Sequence, residues 1–198
     1  MILIVDNYDS FTYNLVNMIA QHKEVIIKYP DDPNIYNLDV EGIVISPGPG
    51  HPLDTDNLIN IIKHYENKPI LGVCLGAQAL TCYHQGDVIQ SEHIMHGKKD
   101  QMQIIKETKL YSDIPEYSEI MRYHSLISDP QTMPESLSIT ATTKDCIQSF
   151  EHLQLLHFGI QYHPESFATE FGEQIIKNFL KIVEEVANHG ITSITQSI

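Results

Sequence analysis

Apolar residues in the first part of the chain follow two patterns that alternate. In four stretches they occupy consecutive positions, as strands buried on both faces of a parallel sheet require. These stretches are residues 1–5, 25–29, 42–46 and 69–73. Between them, residues 11–21 and 58–65 carry apolar side chains at the spacing of an amphipathic helix. The expected N-caps are Asp9 or Ser10 for the first helix and Thr55 or Asp56 for the second. This alternation predicts a parallel sheet built from βαβ units.

After the apolar helix that follows Cys74, the pattern changes to short strand-like segments linked by polar turns. The expected strands are residues 87–91, 102–106, 119–123, 137–142, 146–151 and 155–162. A last amphipathic helix is predicted over residues 169–186. We therefore expect an α/β fold, with an open, mostly parallel central sheet that is flanked by helices and extended by antiparallel strands. One domain should span residues 1–187, followed by a C-terminal tail, residues 188–198, without a clear period.

The composition narrows the class of protein. With 198 residues and 42% hydrophobic content, the chain can bury a sizeable core as one domain. Its net charge of −14, without a block of Lys or Arg, disfavours binding to nucleic acid or to an anionic membrane. No apolar run reaches membrane-spanning length, and Asp6 ends the first apolar run, so we expect no secretory h-region there. These features predict a soluble, cytoplasmic protein.

Cysteine and histidine contents indicate no metal chemistry. The cysteines Cys74, Cys82 and Cys146 show no C-x-x-C pairing, so we expect free thiols. His93 and His96 have helical i, i+3 spacing, but no third ligand lies at a recognisable distance along the chain. We therefore expect neither a metal site nor a bound cofactor in this chain.

The clearest chemical motif is Gly72-Val73-Cys74-Leu75-Gly76, where an apolar strand ends and an apolar helix begins. Glycines on both sides of a nucleophile permit a tight strand-to-helix turn, as in the nucleophile elbow of hydrolases. Cys74 would then lie at a helix N-terminus, where the macrodipole and free N–H groups favour the thiolate. The motif predicts a catalytic cysteine. The alternative is a structural cysteine buried at the end of a strand.

A second motif, Gln161-Tyr162-His163-Pro164-Glu165, ends a strand-like segment. Because a residue before proline is pushed into extended geometry, His163 is kept out of a helix and Glu165 can face the same side. A histidine base that is oriented by a carboxylate is what a nucleophilic cysteine needs for acyl transfer. An ordinary turn after a strand is the alternative interpretation.

The loop after the third strand, residues 46–52, is rich in proline and glycine. Pro47 and Pro49 lack N–H groups, so the loop is a poor phosphate cradle and matches no nucleotide-binding motif. The N–H groups of Gly48 and Leu75 could form an oxyanion hole, although a simple rigid connection is also possible. This loop and the two motifs above all follow strands at their C-terminal ends, where open α/β sheets place their sites.

Together these segments make the chain resemble the class I (triad) glutamine amidotransferases, and within them anthranilate synthase component II. The resemblance covers nearly the whole chain. Further matching stretches are residues 2–15, 95–98, 122–126 and 161–169. The resemblance implies a flavodoxin-like sheet flanked by helices. The family usually has histidine where this chain has Ala77, a difference that concerns local packing and not the triad.

The resemblance also implies roles for individual residues. The catalytic triad would be Cys74 as nucleophile, His163 as base and Glu165 as its partner. The substrate would be glutamine. Attack by Cys74 on the glutamine side chain would form a thioester and release ammonia. The implied binding residues are Gly48 and Leu75 for the oxyanion, and Gln78, Ser125 and Leu126 for glutamine.

The chain has no evident site for a molecule that accepts ammonia, so the resemblance implies a partner. That partner would be a chorismate-binding synthase subunit, anthranilate synthase component I, in a hetero-oligomer. The glutaminase of 4-amino-4-deoxychorismate synthase has nearly the same motifs and is the first alternative. Residues 167–169 are slightly more similar to the anthranilate subunit. A catalytically silent domain that only binds and regulates a partner is the second alternative.

Overall fold

The computed structural model describes residues 1–189, in which nine strands form a single sheet. The strands are β1 (Ile2–Val5), β2 (Val25–Lys28), β3 (Gly42–Ile45), β4 (Ile70–Val73), β5 (Val88–Ile104), β6 (Tyr117–Ser128), β7 (Leu137–Thr142), β8 (Ile147–His152) and β9 (His157–Ile160). The α-helices are α1 (Thr12–Ala20), α2 (Asn57–His64), α3 (Leu75–Tyr83) and α4 (Gly172–His189). Short 3-10 helices cover Pro33–Asn37 and Lys109–Tyr111. The strand order across the sheet is β2-β1-β3-β4-β9-β8-β7-β5-β6.

The five strands from β2 to β9 run parallel, and all of them are buried except the half-buried edge strand β2. Successive residues of β1 point to opposite faces, so Ile2 and Ile4 join one apolar cluster while Leu3 and Val5 join another. The first cluster includes residues of α1 and α4, and the second includes residues of α2 and α3. Burial on both faces explains the consecutive apolar positions, and the predicted parallel strands are confirmed.

The other four strands pair antiparallel, as predicted, but three of the expected segments had wrong bounds. Residues 119–123 are only part of the longer strand β6. Residues 87–91 and 102–106 are not separate strands, because they lie near the two ends of the 17-residue strand β5. Most residues between these ends are exposed, so the pattern contains no apolar signal there. Pairing with β6, interrupted by register shifts at Gln90/Met95 and His96/Lys98, holds this stretch in the sheet instead.

Helix boundaries differ from the prediction by a few residues. Helix α1 begins at Thr12; Asp9 accepts a hydrogen bond from the backbone N–H of Phe11 and so orders the turn that precedes the helix. Thr55 accepts a hydrogen bond from the N–H of Asn57, the first residue of α2. Helix α4 extends to His189, so the predicted tail lies outside the described residues from position 190 onward. The division into a domain and a tail therefore stays a prediction.

The topology brings the three motifs to one edge. Strands β3, β4 and β9 are neighbours in the sheet and run parallel, so their C-terminal ends meet at the same edge. The loop of residues 46–52, the Cys74 turn and the His163 segment follow these three ends.

Cys74, Cys82 and Cys146 are free thiols, as expected. Within residues 1–189, no helix combines the length and apolar character needed to cross a lipid bilayer.

Candidate active site

Cys74 lies in a strained turn between β4 and α3. Its backbone has φ 53° and ψ −103°, in the left-handed region that side chains other than glycine rarely adopt. A Cβ atom on Gly72 would overlap the backbone of Gly76, and one on Gly76 would overlap the carbonyl oxygen of Ile45. Both glycines therefore allow strand and helix to approach closely, and the structure contains the predicted nucleophile elbow.

Cys74 is 6% exposed and lies at the N-terminus of α3. The thiol donates a hydrogen bond to the carbonyl oxygen of Tyr123, with an Sγ–O distance of 3.8 Å. It also accepts one from the side-chain amide of Gln161, with an Nε2–Sγ distance of 3.5 Å. The helix N-terminus adds a positive electrostatic potential that favours negative charge on sulfur.

His163 and Glu165 form the second part of the site. The distance between His163 Nδ1 and Glu165 Oε1 is 2.6 Å, and both side chains are buried. Because a carboxylate only accepts, Nδ1–H donates to it and Nε2 is left as the proton-accepting nitrogen. The threonine hydroxyl of Thr169 accepts a hydrogen bond from the N–H of Met121 in β6 and donates one to the carbonyl of His163. These bonds fix the His163 segment against the antiparallel half of the sheet.

His163 is poised to pair with the thiol. Nε2 is buried and has no hydrogen-bond partner of good geometry among residues 1–189, so this nitrogen is available for a proton. Burial alone would lower the pKa of His163, but the nearby Cys74 thiol and the Glu165 carboxylate outweigh burial and raise this pKa well above its usual value. The structure thus brings together the three residues of the predicted triad.

A cleft of about 200 Å³ opens beside Cys74. It is lined by Gly48, Pro49, Gly50, Cys74, Gln78, Met95, His96, Tyr123, His124, Ser125 and Leu126. Its volume lies below the roughly 300–1,000 Å³ of pockets for drug-sized ligands, so a small metabolite suits it better. Four of the five predicted binding residues line this cleft, and Leu75 is the exception.

Leu75 nevertheless lies beside Gly48. A Cβ atom on Gly48 would come within 2.5 Å of Asn7 Cβ and 2.9 Å of Leu75 Cδ2, so only glycine fits at this approach. The loop is held by Asn7, whose N–H donates to Ser46 Oγ and whose side-chain amide donates to the Ser46 carbonyl oxygen. The loop therefore holds Gly48 against the start of α3, beside Leu75, the second predicted donor of the oxyanion hole.

Gln78 and Leu126 meet in the wall of the cleft. The side-chain nitrogen of Gln78 donates to the carbonyl oxygen of Leu126 at 2.9 Å and to Gln161 Oε1 at 3.1 Å. Both of its hydrogens are then used, and its own Oε1 is left as an acceptor. Ser125 has no partner in the β5–β6 register, because the shift between Gln90 and Met95 falls opposite it. The bulge leaves the backbone of Ser125 outside the β5–β6 ladder, where it can face a ligand.

Sequence reasoning assigned no role to the buried charge network behind this segment. Arg122 is completely buried; its guanidinium makes two hydrogen bonds to Asp145, at 2.9 and 2.8 Å, and another to Asp100. Burial opposes ionisation of Asp145, but Arg122 overcomes it and lowers the pKa of Asp145 to about 2. The signal in the sequence was an arginine in an otherwise buried strand, because such a charge must be paired.

His124 connects this network to the cleft. Arg122 Nε donates to His124 Nε2 at 3.2 Å, and a guanidinium cannot accept, so the proton of the neutral imidazole lies on Nδ1. Nδ1–H therefore donates to the carbonyl oxygen of Leu126 at 3.1 Å. Burial and the adjacent Arg122 lower the pKa of His124 to about 4, which keeps the ring neutral near pH 7. Arg122 thus acts on Leu126 through His124.

The aromatic residues before and within α1 lie outside the buried face of this helix. Tyr8 is 62% exposed and Tyr13 is 61% exposed. The buried face of α1 is formed by residues 12, 15, 16 and 19, and the aromatic positions do not lie on it. Phe11 instead packs edge-on to the ring of His163, with centroids 6.2 Å apart. Ala77 is buried in the apolar core.

Comparison with known proteins defines the class. The family model described as "Glutamine amidotransferase class-I" matches residues 3–183. The chain therefore belongs to the class I glutamine amidotransferases, a family of enzymes, and the resemblance inferred from sequence is confirmed. The predicted fold is confirmed as well.

Individual relatives give more specific matches than the family model. "Anthranilate synthase component II" of Haloarcula marismortui is 40% identical over 185 residues, which cover 90% of this chain and 96% of that protein. "Aminodeoxychorismate/anthranilate synthase component 2" of Bacillus subtilis is 39% identical over 187 residues, covering 91% and 96%. Among solved structures, a putative GMP synthase protein from Thermoplasma acidophilum superimposes with a TM-score of 0.86 at 24% identity. The match covers 94% of this chain and 95% of the Thermoplasma chain, and it supports the fold alone.

Proposed function

We propose that this chain is the glutaminase subunit of an anthranilate synthase. It would hydrolyse glutamine to glutamate and ammonia and deliver the ammonia to a second chain that aminates chorismate, for tryptophan biosynthesis. The observation that carries this proposal is the junction of Cys74, His163 and Glu165, in which Cys74 lines a small cleft. Relatives with anthranilate synthase names at about 40% identity support the choice of pathway.

The first half of the reaction forms a thioester. His163 Nε2 takes the proton of the Cys74 thiol, and the sulfur attacks the side-chain amide carbon of glutamine. The oxygen of the tetrahedral intermediate accepts hydrogen bonds from the N–H groups of Gly48 and Leu75. The C–N bond then breaks, and the departing nitrogen takes the proton back from His163 and leaves as ammonia.

The second half releases glutamate. Water gives a proton to His163 Nε2 and attacks the thioester carbon, the C–S bond breaks, and the thiol of Cys74 is restored by the same proton. Glu165 accepts the Nδ1–H bond throughout and stabilises the imidazolium that forms in each half. All atoms come from glutamine, water and these side chains, so we propose no cofactor and no metal.

The glutamine substrate fits the polarity of the cleft wall. The Oε1 of Gln78 can accept from the ammonium group of glutamine, because both amide hydrogens of Gln78 are already used. The backbone of Ser125 at the β5–β6 bulge can bind the amino-acid end of the substrate, and the Leu126 carbonyl oxygen holds Gln78 in place beside it. Glutamine has no net charge, so the charge of −14 on the chain repels it little, whereas anionic chorismate would bind better on another chain.

A partner subunit would cover the edge of the site. Phe167, two residues after Glu165, is 99% exposed, and Tyr8 and Tyr13 are exposed near the start of α1. Large apolar side chains that remain in water near an active site are typical of a surface that binds another protein. We propose that anthranilate synthase component I is this partner in a cytoplasmic hetero-oligomer.

The test is glutamate release from glutamine by the purified chain, alone and with chorismate plus the large subunit of an anthranilate synthase. We expect slow hydrolysis by the chain alone and a rise when the large subunit is present, with no hydrolysis by Cys74→Ala. In the assembled complex, Cys74→Ala should abolish synthesis from glutamine but leave synthesis from ammonia. Loss of both activities would contradict the proposed division of labour between the two chains.

A second pathway has specific support, because the Bacillus subtilis relative carries both names. If the anthranilate subunit gives no rise but the large subunit of an aminodeoxychorismate synthase does, the chain serves that enzyme. A silent regulatory domain would show no increase in glutamate release with either partner, and its Cys74 would not react with a glutamine-like chloroketone.

A further inference from the structure

A continuous chain of hydrogen bonds connects the candidate nucleophile to the cleft wall. Gln161, which directly follows β9, donates from Nε2 to Cys74 Sγ at 3.5 Å. Its Oε1 accepts from Gln78 Nε2 at 3.1 Å, and Gln78 Nε2 also donates to the Leu126 carbonyl oxygen at 2.9 Å. Gln161 and Gln78 are both buried, so water competes little for these bonds.

The direction of this chain is fixed by its far end. A backbone carbonyl can only accept, so the atom of Gln78 that faces Leu126 must be the amide nitrogen. The same nitrogen faces Gln161, which must therefore present its oxygen to Gln78 and its nitrogen to the sulfur. Flipping either amide would set two donors or two acceptors against each other. The N–H of Gln161 is thus held towards Cys74.

The two hydrogen-bond partners of the sulfur favour different protonation states. The Tyr123 carbonyl oxygen accepts from the S–H, so this bond exists only in the thiol. The Gln161 N–H can donate to either form and binds the charged one more strongly. When the thiol proton moves to His163 Nε2, the Tyr123 bond is lost and the Gln161 bond strengthens.

We propose that Gln161 is a catalytic residue that stabilises the thiolate of Cys74, and that Gln78 and Leu126 hold its amide in the donating orientation. The proposal rests on the proposed role of Cys74 as the nucleophile. It gives Gln78 a second task besides glutamine binding, because the same amide that lines the cleft orients the donor to sulfur. Occupation of the cleft and reactivity of the thiol are then coupled through two side chains.

The test measures alkylation of Cys74 by iodoacetamide as a function of pH, read by mass spectrometry of the Cys74 peptide. Gln161→Met removes the N–H without adding charge, and Gln161→Glu keeps an oxygen for Gln78 but places a carboxylate against sulfur. We expect the pH midpoint of alkylation to rise by about one unit in Gln161→Met, as the loss of one hydrogen bond to a charged group implies, and further in Gln161→Glu. The matched control, Gln154→Glu, makes the same change at an exposed position and should leave the midpoint unchanged.

A second measurement needs no Gln161 variant, because it compares the wild-type protein with Cys74→Ala. The side-chain amide resonance of Gln161, followed by ¹H–¹⁵N NMR, should titrate with the alkylation midpoint and should not do so in Cys74→Ala. An unchanged pH midpoint of alkylation in folded Gln161→Met would overturn the proposal. So would a Gln161 amide resonance that titrates in the same way in the wild type and in Cys74→Ala. If the midpoint shifts but the wild-type chain hydrolyses no glutamine with either synthase partner, the proposed function fails and the stabilising role of Gln161 stands.

Discussion

The two halves of the sheet supply different parts of the site and hold them by different forces. The parallel half carries Cys74 and His163 at the ends of β4 and β9, strands that are buried among apolar side chains on both faces. The antiparallel half carries the Ser125–Leu126 segment, which rests on the buried charge of Arg122 and on His124. Apolar packing therefore positions the proposed chemistry, whereas a paired charge positions the proposed substrate site. Changes in the first half should lower the rate, and changes in the second should lower affinity and stability.

The largest effect is expected at the nucleophile. Cys74→Ala removes the attacking atom and should lower glutamine hydrolysis by at least about 10⁴-fold. Cys74→Gly should be equally inactive but more stable than Cys74→Ala by about 1 kcal/mol, because glycine relieves the strain at φ 53°. Urea denaturation of both variants measures this difference. Equal stability would mean that the elbow stores no strain at this position.

The next largest effect is expected at the acid that orients the base. Glu165→Gln keeps the size of the side chain but removes the charge that stabilises the imidazolium, so we expect kcat to fall about 10³-fold. The pKa of His163 should fall as well, because the carboxylate is one of the groups that raise it. The pH dependence of residual hydrolysis checks both effects. Glu107→Gln, an exposed change of the same kind, serves as the control, and a similar loss there would contradict a specific role.

In the antiparallel half, Arg122→Lys keeps the charge but loses the bidentate bond to Asp145 and the Nε bond to His124. We expect the KM for glutamine to rise about tenfold while kcat changes less than about threefold, because Leu126 is held less firmly. The free energy of unfolding should fall by about 3 kcal/mol. Steady-state kinetics and denaturation separate the two effects. A fall in kcat at constant KM would remove the contrast between the halves.

The boundary between the halves contains a histidine cluster that should show in the pH dependence of stability. Burial lowers the pKa of His84 to about 3 and that of His157 to about 4, and His84 Nε2 lies 2.9 Å from His157 Nδ1. Both pKa values are lowered on folding, so the stability that they contribute is complete above about pH 6.5 and is lost as the pH falls towards 4. Burial raises the pKa of the Glu151 carboxyl to about 7. The stability that Glu151 contributes is complete below about pH 4.5 and is lost as the pH rises to 7. On acidification, Glu151 therefore partly offsets the loss of stability caused by the histidines.

The measurement is urea denaturation at several pH values between 7 and 4.5. The double variant His84→Gln, His157→Gln should lose stability less steeply with falling pH than the wild type. The same change at exposed His22 should leave the slope as it is. Equal slopes in all three proteins would contradict the buried, neutral state of the cluster.

The contrast between the halves also explains what the sequence could predict. Strands β1, β3 and β4 are visible as apolar runs, and the glycines around Cys74 indicate the elbow, because local sterics and burial decide both. The same local patterns indicated a candidate nucleophile at Cys74 and a candidate base and acid at His163 and Glu165, and the family resemblance implied their roles as a triad.

The antiparallel half was harder to predict from the sequence, because its structure depends on pairing between residues that are distant along the chain. Strand β5 carries mostly exposed side chains, so only its pairing with β6 reveals its length. The link from Asp145 to Arg122 joins residues 23 positions apart, and no local pattern indicates it. The hydrogen bond between Gln161 and Cys74 joins residues 87 positions apart, which is why the amide was not assigned a role from sequence.

The central claim is that Cys74 forms a covalent intermediate with glutamine at the edge where the two halves meet. The most direct test is intact mass spectrometry of the chain in complex with its synthase partner, after mixing with glutamine and rapid acid quenching. We predict an adduct with the mass of a glutamyl group, located on the Cys74 peptide and absent in Cys74→Ala. An adduct on another residue, or hydrolysis that continues in Cys74→Ala, would contradict the account.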